Sequence, residues 1–197
     1  MRKTERKPCG AGIFRPGQEL VIAGAIGKAG VREAIRTGRE LLRKRFSEEF
    51  IRKAEEKAEK KLETVPEVLE SLGATEWEAV MEGGVFAALW NISGAYEQGF
   101  AVELLKIPVE QELIEVCEFF DLNPYRLLSG ECMVLAAENG GVLARALEEK
   151  GIRAAVVGTI EKGIARKIIG PGGTGYLERP REDEIYRMRG LQREQEE

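Results

Sequence analysis

The chain has 197 residues, of which 43% are hydrophobic and 32% are charged, and its formal net charge is −4. These values are typical of a single globular domain, and no apolar run is long enough to span a membrane. The sequence contains no histidine, which excludes catalysis by imidazole and metal sites that depend on histidine ligands.

The three cysteines, Cys9, Cys117 and Cys132, are odd in number and stand far apart in the sequence. This usage is typical of a reducing compartment and argues against a zinc site. The basic N-terminus is not followed by the apolar segment of a secretory signal. We therefore expect a cytoplasmic protein in which Cys117 and Cys132 are small core residues rather than nucleophiles.

In chain order, residues 1–15 are predicted to be a flexible N-terminus. Residues 16–27 are predicted to contain a turn, an apolar strand and a glycine-rich exit. A helix is expected from about Val31 to Arg45, and Ser47 can cap a second helix.

Residues 32–61 form the basic part of the chain, with eleven Lys and Arg against seven Asp and Glu. Their charges alternate in sign along helical turns, which indicates a solvated, ion-paired helix surface rather than a nucleic-acid surface. We therefore predict no nucleic-acid partner.

The middle of the chain is predicted to be helical. A capping-box pattern at residues 64–67 predicts a short helix that ends at Gly73. The pair Gly83-Gly84 opens the next helix, for which Gly99 is the expected C-terminal cap. The inward face of that helix is predicted to hold Val85, Leu89, Ile92 and Tyr96.

The second half alternates between strands and helices. Residues 100–104 and 132–137 are predicted strands. Pro108 is predicted to begin an amphipathic helix, and Asn139 to precede a helix that ends at Gly151.

Near the C-terminus, turn residues 161–163 between "RAAVVGTI" and "IARKII" predict a β-hairpin. The stretch "GPGGTG" (residues 170–175) lacks the Lys-Ser/Thr of a phosphate-binding loop and is predicted to be a surface connection. "YLERP" is a possible last strand, and residues 188–197 are predicted to be a polar tail. The predicted fold class is α/β, or layered α+β, with a mixed β-sheet covered by helices in one domain at residues 16–187.

Five segments carry a resemblance to a known family: "PGQELVIAGAIGKAG", "LLRKRFSEEFI", "EGGVFAALWNISGAYEQGFAVEL", "IPVEQELIEVCEFFDLNPYRLLSGECMVLAA" and "GIRAAVVGTIEKG". In order and spacing they resemble the C-terminal domain of the aminoimidazole ribonucleotide synthase (PurM-like) superfamily. The most similar branch is that of the HypE-type hydrogenase maturation factors. The resemblance implies that an N-terminal domain would supply the magnesium-binding aspartates and most ATP contacts, and this chain is expected to begin where that domain ends.

The first candidate site is the Gly83-Gly84 turn with Glu82, because amides at a helix N-terminus favour an anion. The resemblance implies an aspartate and a Ser or Thr before the glycines, where this chain has Ala79 and Met81. Glu82 is expected to satisfy the free amides itself and to repel a phosphate. We predict a degenerate ATP-site loop that serves as a structural turn.

The second candidate site is Ser129, Gly130 and Glu131, which match a small polar turn that faces the substrate cleft in the resembled family. A ligand contact and a structural turn both stay open for these residues. The resemblance also implies a C-terminal cysteine that accepts the carbamoyl group, whereas this chain ends "REQEE". We predict no catalytic residue, no metal site and no cofactor.

The main functional hypothesis is a stand-alone, non-catalytic C-terminal-type domain that binds a partner protein or a small ligand. The alternative is half of an ATP-dependent maturation or synthase enzyme, completed in trans by a separate N-terminal-domain protein. Phe86, Trp90 and Phe119 lie outside the predicted inward faces. We expect them at the interface of a homodimer or of a partner complex, with packing inside the domain as the alternative.

Overall fold

The computed structural model describes residues 7–59 and 66–188. In these residues the strands are β1 (Glu19–Ala23), β2 (Ala74–Ala79), β3 (Gly99–Glu103), β4 (Met133–Ala137), β5 (Ala154–Glu161), β6 (Arg166–Gly170) and β7 (Gly173–Tyr176). The helices are α1 (Lys28–Leu42), α2 (Glu48–Glu59), α3 (Pro66–Ser71), α4 (Gly84–Tyr96), α5 (Gln111–Phe119) and α6 (Gly140–Glu149). None of these helices combines the length and the apolar character that crossing a membrane requires.

All seven strands form one sheet in the order β2-β4-β1-β5-β3-β6-β7. Neighbouring strands run antiparallel except β3 and β6, which run parallel. Leu20 and Ile22 of β1 face one side and Val21 and Ala23 the other, and all four are fully buried because the strand is covered on both faces. The mixed-sheet α+β fold predicted from the sequence is confirmed.

The predicted hairpin between the strands now named β5 and β6 is wrong. β3 lies between them, antiparallel to β5 and parallel to β6. The connection crosses the start of β3, where the Phe100 amide donates to the Ala165 carbonyl at 2.9 Å. Gly99 permits this crossing, because a Cβ there would lie 2.3 Å from the Ala165 oxygen. Turn-forming residues in a sequence indicate where the chain reverses direction, but they do not indicate which strands pair.

The helices form layers on both sides of the sheet. α4 packs on one face through Val85 and Leu89, and α6 packs on the other through Leu143 and Leu147. The third group, α1, α2 and α5, packs around a core of its own, which contains Ile35, Ile51 and Leu113.

Ion pairs cover the surface of this third group. Arg43 pairs with Glu48, and the Lys53 ammonium lies 2.9 Å from a Glu112 carboxylate oxygen. The described part of the basic segment, residues 32–59, therefore forms the ion-paired helix surface that the charge pattern predicts. Exposed pairs of this kind each contribute about 0–1 kcal/mol.

Several element ends differ from the prediction. The C-terminal cap of α4 is Glu97, with φ 54°, rather than Gly99, and α5 begins at Gln111 rather than at Pro108. Part of "GPGGTG" forms strand β7, which ends at Tyr176, so the rest of "YLERP" is not a strand. The predicted capping box at residues 64–67 lies in part outside the described residues.

One described residue from each predicted flanking segment packs in the domain. Phe14 is buried in the core beneath α4 and stacks on Tyr96, with ring centroids 5.4 Å apart. Met188 is buried in the core of α1, α2 and α5. These two residues therefore belong to the packed domain, while the flexible N-terminus and the polar tail stay predictions.

Candidate functional site

Two glycine turns lead from a strand into a helix in this fold. Gly27 precedes α1 with φ 77° and ψ 1°, and Gly83 precedes α4 with φ 80° and ψ 1°. This left-handed conformation strongly favours glycine. In each turn a side chain from a distant segment accepts a hydrogen bond from the amide of the glycine itself, and this bond closes the turn.

The Gly27 turn is closed by Ser129, from the loop before β4. The Ser129 Oγ accepts a hydrogen bond from the Gly27 amide at 2.8 Å, and the Ser129 carbonyl accepts one from the Ala29 amide at 3.1 Å. Ser129 is fully buried, and its hydroxyl donates to the Leu127 carbonyl at 3.2 Å. The hydroxyl therefore acts both as donor and as acceptor within the domain.

Gly130 and Glu131 continue this loop towards the second turn. The Gly130 amide donates to the carbonyl of Val80 at 2.8 Å, between β2 and Gly83. Gly130 is exposed and Glu131 is partly exposed. The fold thus brings the two predicted sites together, since Ser129 bonds to one turn and Gly130 to the segment that leads into the other.

The Gly83 turn is closed by Asp183, which the sequence analysis missed. Its Oδ2 accepts from the Gly83 amide at 2.6 Å, and its Oδ1 accepts from the amides of Leu128 at 3.2 Å and Ile185 at 2.8 Å. Asp183 is only 2% exposed. A carboxylate of the chain itself therefore lies at Gly83, directly before the first residue of α4, where the helix dipole favours an anion.

One local signal for Asp183 exists in the sequence. The bond from the Ile185 amide to the Asp183 side chain is an Asx turn, a motif that aspartate favours where a chain changes direction. This signal identifies a turn and gives no information about the bond to Gly83, which is 100 residues away along the chain.

Glu82 does not cap the helix amides, which corrects the expectation from the sequence. Its Oε1 accepts from the Tyr186 hydroxyl at 2.7 Å. Met81 is 54% exposed, and Ala79 is exposed at the end of β2. The positions where the resembled family has a carboxylate and a hydroxyl therefore present an apolar group to solvent.

The buried thiols are not reactive groups. Burial raises the pKa of Cys117 and of Cys132 to about 12. Both thiols stay protonated at neutral pH, so neither acts as a nucleophile there.

Within residues 7–59 and 66–188, no three side chains of metal-binding type are arranged to hold an ion. The cytoplasmic location inferred from cysteine usage stays a prediction.

The three aromatic residues predicted at an interface have different surroundings. Phe86 is 8% exposed and stacks on Tyr125, with ring centroids 5.4 Å apart. Trp90 is partly buried beneath Arg166, whose guanidinium carbon lies 4.1 Å from the ring centroid. Phe119 keeps 36% of its surface exposed.

Phe119 belongs to an aromatic cluster that the sequence analysis did not identify. Phe46 packs edge-on against Phe119 at 5.8 Å and stacks on Phe50 at 4.5 Å. Phe46 and Phe50 are both partly buried. These three rings, called the Phe119 cluster below, lie next to one another at the surface of the third helix group.

Three cavities surround the 3-10 turn Pro124–Arg126, with volumes of about 460, 510 and 560 Å³. Phe86 and Leu104 line the first two, and Arg126 lines the first and the third. No local motif indicates a role for Arg126, because the segment that contains it indicates only the family resemblance.

The sequence matches no protein-family model and no curated protein. Solved structures nevertheless share its fold. HypE of E. coli, a hydrogenase maturation protein, matches with a TM-score of 0.69 and 20% identity over 91% of this chain and 55% of that chain. HypE in its complex with HypF matches with a TM-score of 0.63 and 20% identity, over 85% and 54%.

Thiamine-monophosphate kinase from Stenotrophomonas maltophilia K279a matches with a TM-score of 0.62 and 13% identity, over 89% of this chain and 56% of that chain. The present chain thus spans about half the length of the solved chains it matches. The resemblance inferred from the sequence is confirmed as a fold. The chain has a PurM-like fold, which it shares with about half of HypE and of thiamine-monophosphate kinase.

Proposed function

We propose that this chain is a binding domain that binds a partner protein or a small ligand and does not itself turn over nucleotide. The observation that carries the proposal is the Asp183 carboxylate on the Gly83 amide at 2.6 Å. A phosphate group at this helix end would have to displace a buried carboxylate together with the three amide hydrogen bonds it accepts. The Gly83 turn is therefore closed to a phosphate by the chain's own anion.

The residues around the turn support the same proposal. Ala79 and Met81 offer neither a carboxylate nor a hydroxyl to a ligand. The Ser129 hydroxyl is engaged with the Gly27 turn. Phosphoryl transfer needs carboxylates that hold magnesium next to the phosphates, and these residues do not supply them.

A phosphate-release assay combined with calorimetry tests this proposal on the full chain with ATP and magnesium. We expect no turnover above the blank and no saturable binding of ATP at micromolar concentration. Magnesium-dependent turnover that co-purifies with the wild-type protein, and that disappears in Glu82→Gln or Glu131→Gln, would overturn the proposal. Binding of ATP with micromolar affinity would show that the Gly83 turn is not degenerate.

A second candidate function is half of an ATP-dependent maturation or synthase enzyme that a separate N-terminal-domain protein completes. The observation that favours it is that the chain covers only 55% of E. coli HypE. A role in hydrogenase maturation, the process for which HypE is named, belongs to this candidate. Mixing the chain with a separately produced N-terminal-type domain distinguishes the two: turnover that appears only in the mixture supports the second candidate.

For a protein partner, we propose an interface at the Phe119 cluster. A second copy of the chain is the simplest partner, because one patch serves both subunits of a two-fold interface. Sedimentation is expected to give a dimer of the 21.9 kDa chain that Phe119→Ser converts to a monomer, with Tyr176→Ser as an exposed aromatic control. A wild-type monomer at micromolar concentration contradicts the homodimer.

A further inference from the structure

An open groove of about 460 Å³ runs along one face of the β6–β7 hairpin. Its apolar walls come from four separate segments and consist of Phe86, Leu104, Ile168 and Leu177. This volume lies in the range of about 300–1,000 Å³ that is usual for small-molecule sites. Apolar walls of this kind favour a ligand with an apolar body.

Glycines form the hairpin side of the groove. Gly175 pairs across the strands with Ile168, so the two residues face the same side of the sheet. A Cβ at Gly175 would come no closer than 4.0 Å to another atom, and one at Gly173 would meet nothing within 4 Å. No side chain therefore covers the backbone on this side of the hairpin, and a flat group can lie directly against the peptide planes.

Arg126 brings a positive charge to the groove. In the described part of the chain Arg126 forms no ion pair, although it also lines the neighbouring cavity that contains residues 182–184. Arg187, on that same cavity, pairs with Asp121 at 2.6 Å. A guanidinium without an acidic partner presents parallel N–H groups that match a carboxylate. The other charged residue on the lining is Glu178, which is exposed and would repel a second negative charge.

We propose that this groove binds a small aromatic molecule with a single carboxylate. The carboxylate pairs with Arg126, and the ring lies between the glycine face of the hairpin and the apolar walls. The inference rests on the proposed function in one respect: in both, the domain binds a ligand and does not convert it chemically. The two sites are distinct, since Asp183 fills the Gly83 turn while the groove is open.

Amide NMR shifts of the full chain, titrated with 2-naphthoate, test the inference. We expect saturable shifts at Gly170, Gly173 and Gly175, and affinity weaker by about tenfold or more for the neutral 2-naphthamide. Inorganic phosphate alone is expected to leave these amides unshifted, since it lacks the ring. A failure to saturate below about 10 mM 2-naphthoate, or shifts confined to other residues, would overturn the inference.

Three variants make the assignment specific. Arg126→Gln is expected to weaken 2-naphthoate binding by about tenfold or more, because it removes the charged partner. Gly175→Val places a branched side chain in the groove at a position where a Cβ would come no closer than 4.0 Å to another atom. It is expected to abolish binding while Arg126 is retained. Arg145→Gln, an exposed arginine on α6, is the matched control and is expected to bind normally. Unchanged binding in Arg126→Gln or in Gly175→Val refutes the proposed position.

The two proposals fail in different assays. ATP turnover by the wild-type protein would overturn the proposed function and leave the groove assignment standing. Absence of 2-naphthoate binding would overturn the groove assignment and leave the closed Gly83 turn unaffected.

Discussion

The Gly27 and Gly83 turns share one backbone conformation and differ in the group that closes them. A neutral hydroxyl from Ser129 closes the first, and the carboxylate of Asp183 closes the second. Both closing residues are about 100 positions away from their turn along the chain. A glycine-rich turn before a helix therefore does not define a ligand site by itself, because the domain can supply the missing acceptor.

The difference between the two closures has an energetic consequence. A carboxylate accepting from amides makes charge-assisted hydrogen bonds, which are roughly twice as strong as neutral ones. Asp183 also accepts from three amides, whereas the Ser129 Oγ accepts from one. The Gly83 turn is thus expected to depend more strongly on its closing residue than the Gly27 turn does.

The largest effect is expected for Asp183→Ala, which leaves the amides of Gly83, Leu128 and Ile185 without their acceptor. Unsatisfied buried donors of this kind lower the free energy of unfolding by about 3 kcal/mol. Urea denaturation measures this change, and Glu182→Ala, at the exposed neighbouring residue, is the control.

Added phosphate sharpens this test, since an opened turn offers amides to an external anion. A ligand that binds only the folded state stabilises the protein. We therefore expect phosphate to raise the free energy of unfolding of Asp183→Ala more than that of the wild type. Equal stabilisation of both proteins would indicate that Asp183 does not stand in for an anion. A loss of stability no larger than in Glu182→Ala would remove the basis of the comparison.

The next effect separates the two turns at the glycines themselves. A left-handed φ costs a residue with a Cβ about 1–2 kcal/mol, which both Gly27→Ala and Gly83→Ala incur. At Gly83 the new Cβ would also lie 2.7 Å from the Ala87 Cβ, whereas at Gly27 the nearest atom would be 3.7 Å away. Thermal unfolding should therefore show a larger loss for Gly83→Ala. A larger loss for Gly27→Ala contradicts the geometry described for the turns.

A smaller effect is expected for Ser129→Ala, which removes the acceptor of the buried Gly27 amide. The loss in the free energy of unfolding is about 1–2 kcal/mol, because one neutral hydrogen bond is involved. Ser71→Ala, at an exposed serine, is the control and is expected to change stability little. If Ser129→Ala destabilises the domain more than Asp183→Ala does, charge is not what distinguishes the two turns.

The sequence predicted the elements with strong local patterns. The amphipathic helices, the strands β1, β3, β4 and β5 and the mixed sheet follow from apolar periodicity and from turn residues, which are local properties. Strand β2 was not predicted. Cys117 and Cys132 are buried as their apolar neighbours suggested. Ser47 accepts from the Phe50 amide at 3.2 Å, as expected of a helix cap.

The features that the sequence did not predict depend on contacts between distant segments. The insertion of β3 between β5 and β6 is decided by packing, and the Glu161–Gly163 turn carries no sign of it. Likewise, Asp183 lies in an acidic stretch whose sequence is typical of a solvated surface. Its burial depends on its position beside Gly83, which only the structure shows. The sequence therefore located the two glycine turns but not the residue that closes one of them, and ligand binding at either turn stays a prediction.

The smallest effect is expected for Glu82→Gln, which changes the charge next to Gly83 without touching the closure. Glu82 accepts from the exposed Tyr186 hydroxyl at 2.7 Å, and the amide oxygen of glutamine can take over this bond. We expect no measurable change in urea denaturation. In the Asp183→Ala background, however, Glu82→Gln should strengthen phosphate binding about two- to fivefold, because a negative charge near the opened amides is removed. If Glu82→Gln alone destabilises the domain as strongly as Asp183→Ala, then Glu82 rather than Asp183 stabilises the turn, and the contrast between the two turns has to be assigned to a different carboxylate.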